Sequence, residues 1–225
     1  MDIDKLRTKT QKISDILENE FGIPERTDDE KPLDTLIHTI LSQNTNDVNS
    51  GKAYDRLIER YASWDEVLNA NVDDISDTIK IGGLAKQKSI RIKHLLEWIK
   101  ENYRQLNIDF ICDMDTRDAI ELFTKLNGIG LKTISVTLCF ACKKEVFPVD
   151  THIFRVSKRL DLIPSNSTPD KAHEIMGKLC PLGKAFSLHV NMITFGRNIC
   201  HAQNPKCKIC PLINYCIVWQ DFIDK

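Results

Sequence analysis

The break at Gly128-Ile129-Gly130 constrains this chain more than any other stretch. Ahead of it, a helix is expected from Asp115 or Thr116 to Lys125. Behind it, Leu131, Ile134, Ser135, Val136, Leu138 and Cys139 recur as in a buried helix that starts straight after the turn. Leu126 and Ile129 can pin such a turn to a core. Glycine has no Cβ, so the turn can be tight and its backbone can lie close to a ligand. The exposed N–H groups at the start of the second helix suit a phosphate. Helix, Gly-X-Gly turn, helix is the pattern of a helix-hairpin-helix, which grips a nucleic-acid backbone without reading bases. Gly-X-Gly alone fits a plain turn between helices as well, so its neighbours have to decide.

The rest of the chain repeats the helical theme. Leu6, Ile13, Ile16 and Leu17 predict a helix over residues 4–20, broken by Gly22-Ile23-Pro24 and the acidic Asp28-Asp29-Glu30. Pro32 suits a first helical turn, and Leu33, Leu36, Ile37, Ile40 and Leu41 give that helix an apolar face. It runs into the polar string Ser42-Gln43-Asn44-Thr45-Asn46-Asp47, whose last two residues are good caps for a helix from Val48 to Tyr61. Short helices with acids in their first turns follow at Ser63–Leu68 and Val72–Ile79. A second glycine turn, Ile81-Gly82-Gly83-Leu84, leads into a basic helix from Lys86 to Tyr103 that carries Lys86, Lys88, Arg91, Lys93 and Lys100. Its positions Ile92, Leu95, Leu96 and Ile99 face a core. After Asp150, helices are expected to Leu160, to Leu179 and from Lys184 to about Ile199. No strand alternation is convincing, so the fold class is all-α, with ten or more short helices.

Two residues near the glycine turn invite chemistry. Lys132 falls in the first turn of the second helix, where the positive end of the helix dipole disfavours a cation. A lysine there, partly shielded from water, is expected to be a better nucleophile. Asp150 follows 18 positions later, before Thr151-His152-Ile153-Phe154. Aspartate is a favoured N-cap. It can be both cap and catalyst if its second oxygen faces a cleft.

The charge is uneven although the net charge is −1. From Ile175 through Gln220 there is no Asp or Glu, while Lys178, Lys184, Arg197, Lys206 and Lys208 are present. A nearly neutral chain can still present a positive face to an anionic partner. No apolar run approaches a bilayer span. The charged N-terminus lacks an apolar signal core, which argues for an intracellular protein. The eight cysteines are then not a disulfide framework. Four of them, Cys200, Cys207, Cys210 and Cys216, form C-x6-C-x2-C-x5-C. Zinc normally takes two close pairs, and only Cys207 and Cys210 are one. The uneven loops suit a cubane iron-sulfur cluster at least as well. Cys112, Cys139, Cys142 and Cys180 read as small buried hydrophobes, with Cys139 and Cys142 inside an apolar helix.

Taken together, the hairpin Leu126-Asn127-Gly128-Ile129-Gly130-Leu131-Lys132-Thr133, the segment Val149-Asp150-Thr151-His152 and the four-cysteine loop resemble the endonuclease III family of base-excision DNA glycosylases. The resemblance runs from the Ile40-Leu41-Ser42 helix end to Cys216. It implies a bilobal all-α fold: residues 28–145 as a six-helix barrel with the hairpin, residues 1–27 and 146–225 as an iron-sulfur domain, and DNA in a cleft between the lobes. It implies a bifunctional glycosylase and AP lyase that flips out oxidised pyrimidines and cuts 3′ to the abasic site by β-elimination. Lys132 matches the family's Schiff-base lysine and Asp150 its essential aspartate. Cys200, Cys207, Cys210 and Cys216 match the ligands of a 4Fe-4S cluster. Gly128 and Gly130 would hold phosphate, Gln43 or Asn44 would fill the gap left by the flipped base, and Leu84 would act as a wedge. Lys206 and Lys208, on the cluster loop, would face the DNA backbone. The Gln43-Asn44 order departs from the commonest family pattern, where the glutamine comes one position later than Gln43. The implied partner is double-stranded DNA with damaged bases or abasic sites, met by a monomer with no membrane. Three rivals remain: a monofunctional mismatch or adenine glycosylase, a non-catalytic DNA-binding module with structural zinc, and an iron-sulfur electron carrier, which needs no Lys132–Asp150 pair.

Overall fold

The computed structural model describes residues 2–27 and 30–223. Among them the regular structure is helical throughout, and the chain is all-α as its apolar spacing predicts. Two compact units divide it: Met1–Thr27 with Glu145–Lys225, and Asp28–Lys144.

The continuous unit holds α2 (Pro32–Ser42), α3 (Asp47–Arg60), α4 (Trp64–Asn69), α5 (Val72–Thr78), α6 (Ala85–Tyr103), α7 (Thr116–Thr124) and α8 (Leu131–Phe140). Capping residues set most of the starts. Pro32 occupies the first turn of α2. Asn46 accepts from the Asn49 N–H, Ser63 from that of Glu66 and Asp115 from that of Arg117. The apolar faces expected of α2 and α6 are buried, including Leu36, Ile37, Ile40, Ile92, Leu95, Leu96 and Ile99. Each such side chain contributes about 1.5–3 kcal/mol on leaving water. Helix α2 packs along α8, and α5 along α6.

The discontinuous unit holds α1 (Ile3–Phe21), α9 (Thr151–Arg159), α10 (Pro169–Leu179), α11 (Ala185–Asn198) and a short α12 (Gln220–Ile223). Ile13 and Leu17 of α1 join Ile153, Val156, Met176, Leu188, Met192 and Phe195 in one core. The N-terminal helix is therefore built into the second half of the chain. Lys184 Nζ donates to Glu18 at 2.5 Å, and Asn191 donates to the Gly22 carbonyl at 2.9 Å.

One expectation needs correction. Cys112 and Cys142 are not small buried hydrophobes: they form a disulfide across 30 positions. Helix α8 ends at Phe140, so Cys142 lies in the turn beyond it, where its Cα comes within 4.8 Å of that of Cys112. Cys139 is buried and takes no part in a disulfide. The cations of the basic helix α6 have partners within the fold. Lys86 pairs with Asp73, Lys93 donates to the Ala70 carbonyl at 2.7 Å and Lys100 pairs with Asp65 at 2.7 Å. Lys88 has no exposed surface at all.

Candidate active site

The glycine turn forms as its composition demands. Gly128 has φ +87°, and a Cβ there would lie 2.4 Å from Arg91 Cδ. That position needs glycine for conformation and for space. Gly130 has φ −87° and is the N-cap residue of α8, with open space where a Cβ would stand. The first N–H groups of a helix have no acceptor inside it, and such a start suits an anion. Lys132 is the second residue of α8 and half-buried. Burial depresses the pKa of the nearby His38 imidazole, and Lys132 adds the smallest part, against the pull of Asp47, Asp55 and Glu30.

Gln43 and Asn44 part company. Gln43 Nε2 donates to the Gly128 carbonyl at 3.0 Å and to Thr133 Oγ1 at 3.3 Å. Its Oε1 accepts from Arg91 Nη1 at 2.6 Å. The amide is thus a latch between the end of α2 and the glycine turn. Asn44 is exposed, with φ +52°. Leu84, ahead of α6, has φ +49° and is 51% exposed. A leucine in the left-handed region costs about 1–3 kcal/mol, and such strain concentrates at functional positions.

Asp150 is the N-cap of α9: its Oδ1 accepts from the Ile153 N–H at 2.7 Å. Two buried histidines that sequence reasoning missed fix the segment before it. The Val149 N–H donates to His173 Nε2 at 2.9 Å, so the proton of that ring sits on Nδ1, 3.0 Å from the Pro169 carbonyl. His189 Nδ1 lies 2.9 Å from the Pro148 carbonyl. Isolated histidines on apolar helices carry no sequence signal for this task.

The four clustered cysteines are free thiols, and all four line one recess with Arg159, Leu160, Phe195, Ile199 and Pro205. Burial pushes Cys210 up to about 11 and raises Cys207 and Cys216, and the neighbouring sulfurs add to each rise. Thiols that raise one another in a shared apolar recess stay protonated unless a cationic centre holds them as thiolates. Among the described residues, no three His, Cys, Asp or Glu side chains group around a position for one metal ion. Four thiols lining one recess are the donor set that an iron-sulfur cluster takes. Arginines frame the recess: Arg155 donates to the Cys200 carbonyl at 3.1 and 3.0 Å, and Arg159 Nη1 lies 3.2 Å from Cys200 Sγ. Their four-residue spacing puts both on one face of α9, a signal legible in the sequence. Lys206 and Lys208, on the same loop, are exposed.

Comparison with known proteins agrees with this geometry. Residues 37–182 match the model of the HhH-GPD superfamily of base excision DNA repair proteins. The endonuclease III of Thermotoga maritima is 36% identical over 185 residues, which is 82% of each chain. A solved non-covalent endonuclease III–DNA complex superposes with a TM-score of 0.82 at 25% identity, covering 97% of this chain and 99% of that one. A trapped endonuclease III–DNA covalent intermediate superposes with a TM-score of 0.82 at 27% identity, covering 96% and 97%. The chain belongs to the endonuclease III family of DNA glycosylases with AP lyase activity. Among the described residues, no helix is long and apolar enough to cross a membrane.

Proposed function

We propose that this chain removes oxidised pyrimidines from double-stranded DNA and cuts 3′ to the resulting abasic site by β-elimination. The observation that carries the reading is Lys132 in the first turn of the helix that begins at the glycine turn, in a chain of the endonuclease III family. A base inside the stack is out of reach, so the nucleotide is first flipped out. Asn44 fills the gap, because the Gln43 amide is engaged at both its ends; Leu84 wedges the neighbouring step. The N–H groups around Gly128 and Gly130 hold phosphate.

The neutral Lys132 amine then attacks C1′. The N–C1′ bond forms as the bond to the base breaks, and the base leaves with the proton that the amine gives up; the C1′–O4′ bond then breaks, O4′ takes a proton from water, and an iminium stays on the opened sugar. Asp150 takes the amine proton and stabilises positive charge building on the sugar. The iminium acidifies C2′; loss of its proton expels the 3′ phosphate, and water frees the lysine. Borohydride reduces the iminium to a stable adduct, which gives the test. Covalent trapping should be strong on duplexes with an oxidised pyrimidine or an abasic site, and weak on uracil or mismatched thymine. No adduct on any of them would remove the lyase reading; preference for uracil or mismatched thymine would move the substrate class.

Cys200, Cys207, Cys210 and Cys216 would hold a 4Fe-4S cluster. Bound there, it supplies iron–thiolate bonds that order the loop, and no chemistry to base removal. The purified protein is expected to be brown, with broad absorbance near roughly 400 nm and labile sulfide; a colourless zinc protein would refute this. The ordered loop presents Lys206 and Lys208 to phosphate, in a protein that acts as a monomer. Replacing both by alanine should weaken DNA binding and lower its salt slope by roughly one unit per lost contact. An unchanged slope would take these lysines out of the interface.

A further inference from the structure

Lys88 has no role in the chemistry above, yet it is a lysine without exposed surface. Lysine is almost never fully buried unless its charge is partnered. Its Nζ donates to the Leu41 carbonyl at 2.6 Å and to the Gly82 carbonyl at 2.8 Å. Leu41 is in the last turn of α2, where carbonyls lack intrahelical partners and the dipole favours a cation. Gly82 closes the 3₁₀ turn Lys80–Gly82. A Cβ on Gly82 would lie 3.1 Å from the Ala53 Cβ and 4.0 Å from the Leu41 carbonyl. Glycine therefore lets this turn come close enough to the end of α2 for one ammonium to reach both backbones. Asn44 stands three residues beyond Leu41, and Leu84 two beyond Gly82. Lys88 thus bonds to the root of each of the two strained, exposed turns.

Stability alone does not explain the choice. Burial, with Arg91 adjacent, pulls the Lys88 pKa down to about 8, so its charge is held against a desolvation cost. A well-packed apolar side chain often does as well or better in such a place. A second, separate link runs through Arg91 and Gln43 to the glycine turn.

We propose that Lys88 is a positioning residue that ties the Asn44 turn to the Leu84 turn, so that plug and wedge enter the duplex as one piece. The inference rests on the DNA roles given to those two residues under the proposed function. Opening a base stack requires filling the gap and prising the neighbouring step in the same event. Two turns ordered in advance by one buried link do this without the cost of ordering each on binding.

The experiment compares Lys88→Met with wild type, as full-length cofactor-loaded protein, in single-turnover cleavage of an abasic site. The site is placed in duplex DNA and in a single-stranded oligonucleotide. Methionine keeps much of the stem and removes the ammonium. Cleavage in duplex should slow about 10²-fold, the scale of a small misplacement. Cleavage in the single strand, where no stack has to open, should stay within about threefold. Equal slowing on both substrates, or none on either, overturns the proposal. If the wild type cleaves neither, the lyase reading is lost and the link's role with it. Should Lys88→Met fail to fold, Asn44→Ala, Leu84→Ala and their double variant test the same coupling on exposed positions. Linked turns predict a combined loss on duplex at least about threefold smaller than the product of the single losses. A product that simply multiplies overturns the link.

Discussion

Lys132→Ala is expected to abolish the borohydride adduct with abasic-site DNA and to slow strand cleavage by at least about 10³-fold, or roughly 4 kcal/mol of transition-state stabilisation. The size follows from what is removed. In the proposed reaction the amine is the atom that bonds to C1′, and no water molecule can take over the iminium. Everything around it should survive. Alanine is the best helix former, and Lys132 is already inside α8, so that helix starts where it did. The phosphate contact proposed for the glycine turn uses backbone, which the substitution leaves alone. Affinity for uncleaved DNA should therefore change little while chemistry stops. Lys88 cannot stand in, because its ammonium is tied to two carbonyls inside the fold. An adduct that persists in Lys132→Ala would assign the nucleophile to another amine.

Asp150→Asn is expected to lower turnover by about 10²–10⁴-fold, the range of a lost general base, with DNA affinity retained. Asparagine separates the two roles of this residue. As an N-cap it is about as good as aspartate, and its Oδ1 can still accept from the Ile153 N–H that Asp150 holds at 2.7 Å. Thermal stability should stay within about 0.5 kcal/mol, while Asp150→Ala should lose about 1 kcal/mol with the cap. The amide cannot accept the amine proton, so only the chemical step suffers. Turnover like wild type in Asp150→Asn, measured beside melting and binding, would reduce Asp150 to a cap.

Much of this architecture was legible because apolar spacing and capping residues agreed. Pro32, Asn46, Ser63 and Asp115 mark helix starts in the sequence and begin helices in the structure. Lys88 shows where residue type overrode pattern. It stands four residues before Ile92 and seven before Leu95, on the buried face of α6. Periodicity pointed inward while its charge suggested solvent, and the acceptors that reconcile the two come from distant turns. Cys112 and Cys142 carry no local pattern, since only tertiary packing brings them together. In the sequence the string after α2 is polar throughout, and Gln43 and Asn44 fit the same role. Its division into a latched Gln43 and an exposed Asn44 depends on Arg91 and Gly128, far along the chain.

The division of the chain also bears on how it is made. Residues 28–144 are contiguous, so a ribosome can release them as a segment able to condense alone, its partners all in hand. Helix α1 emerges earlier, yet Ile13 and Leu17 find their neighbours on α9, α10 and α11. Such distant pairings close slowly, because chain entropy is spent before contacts reward it. During synthesis the first helix waits, its apolar stripe open to chaperones or to other nascent chains, until α11 has been added.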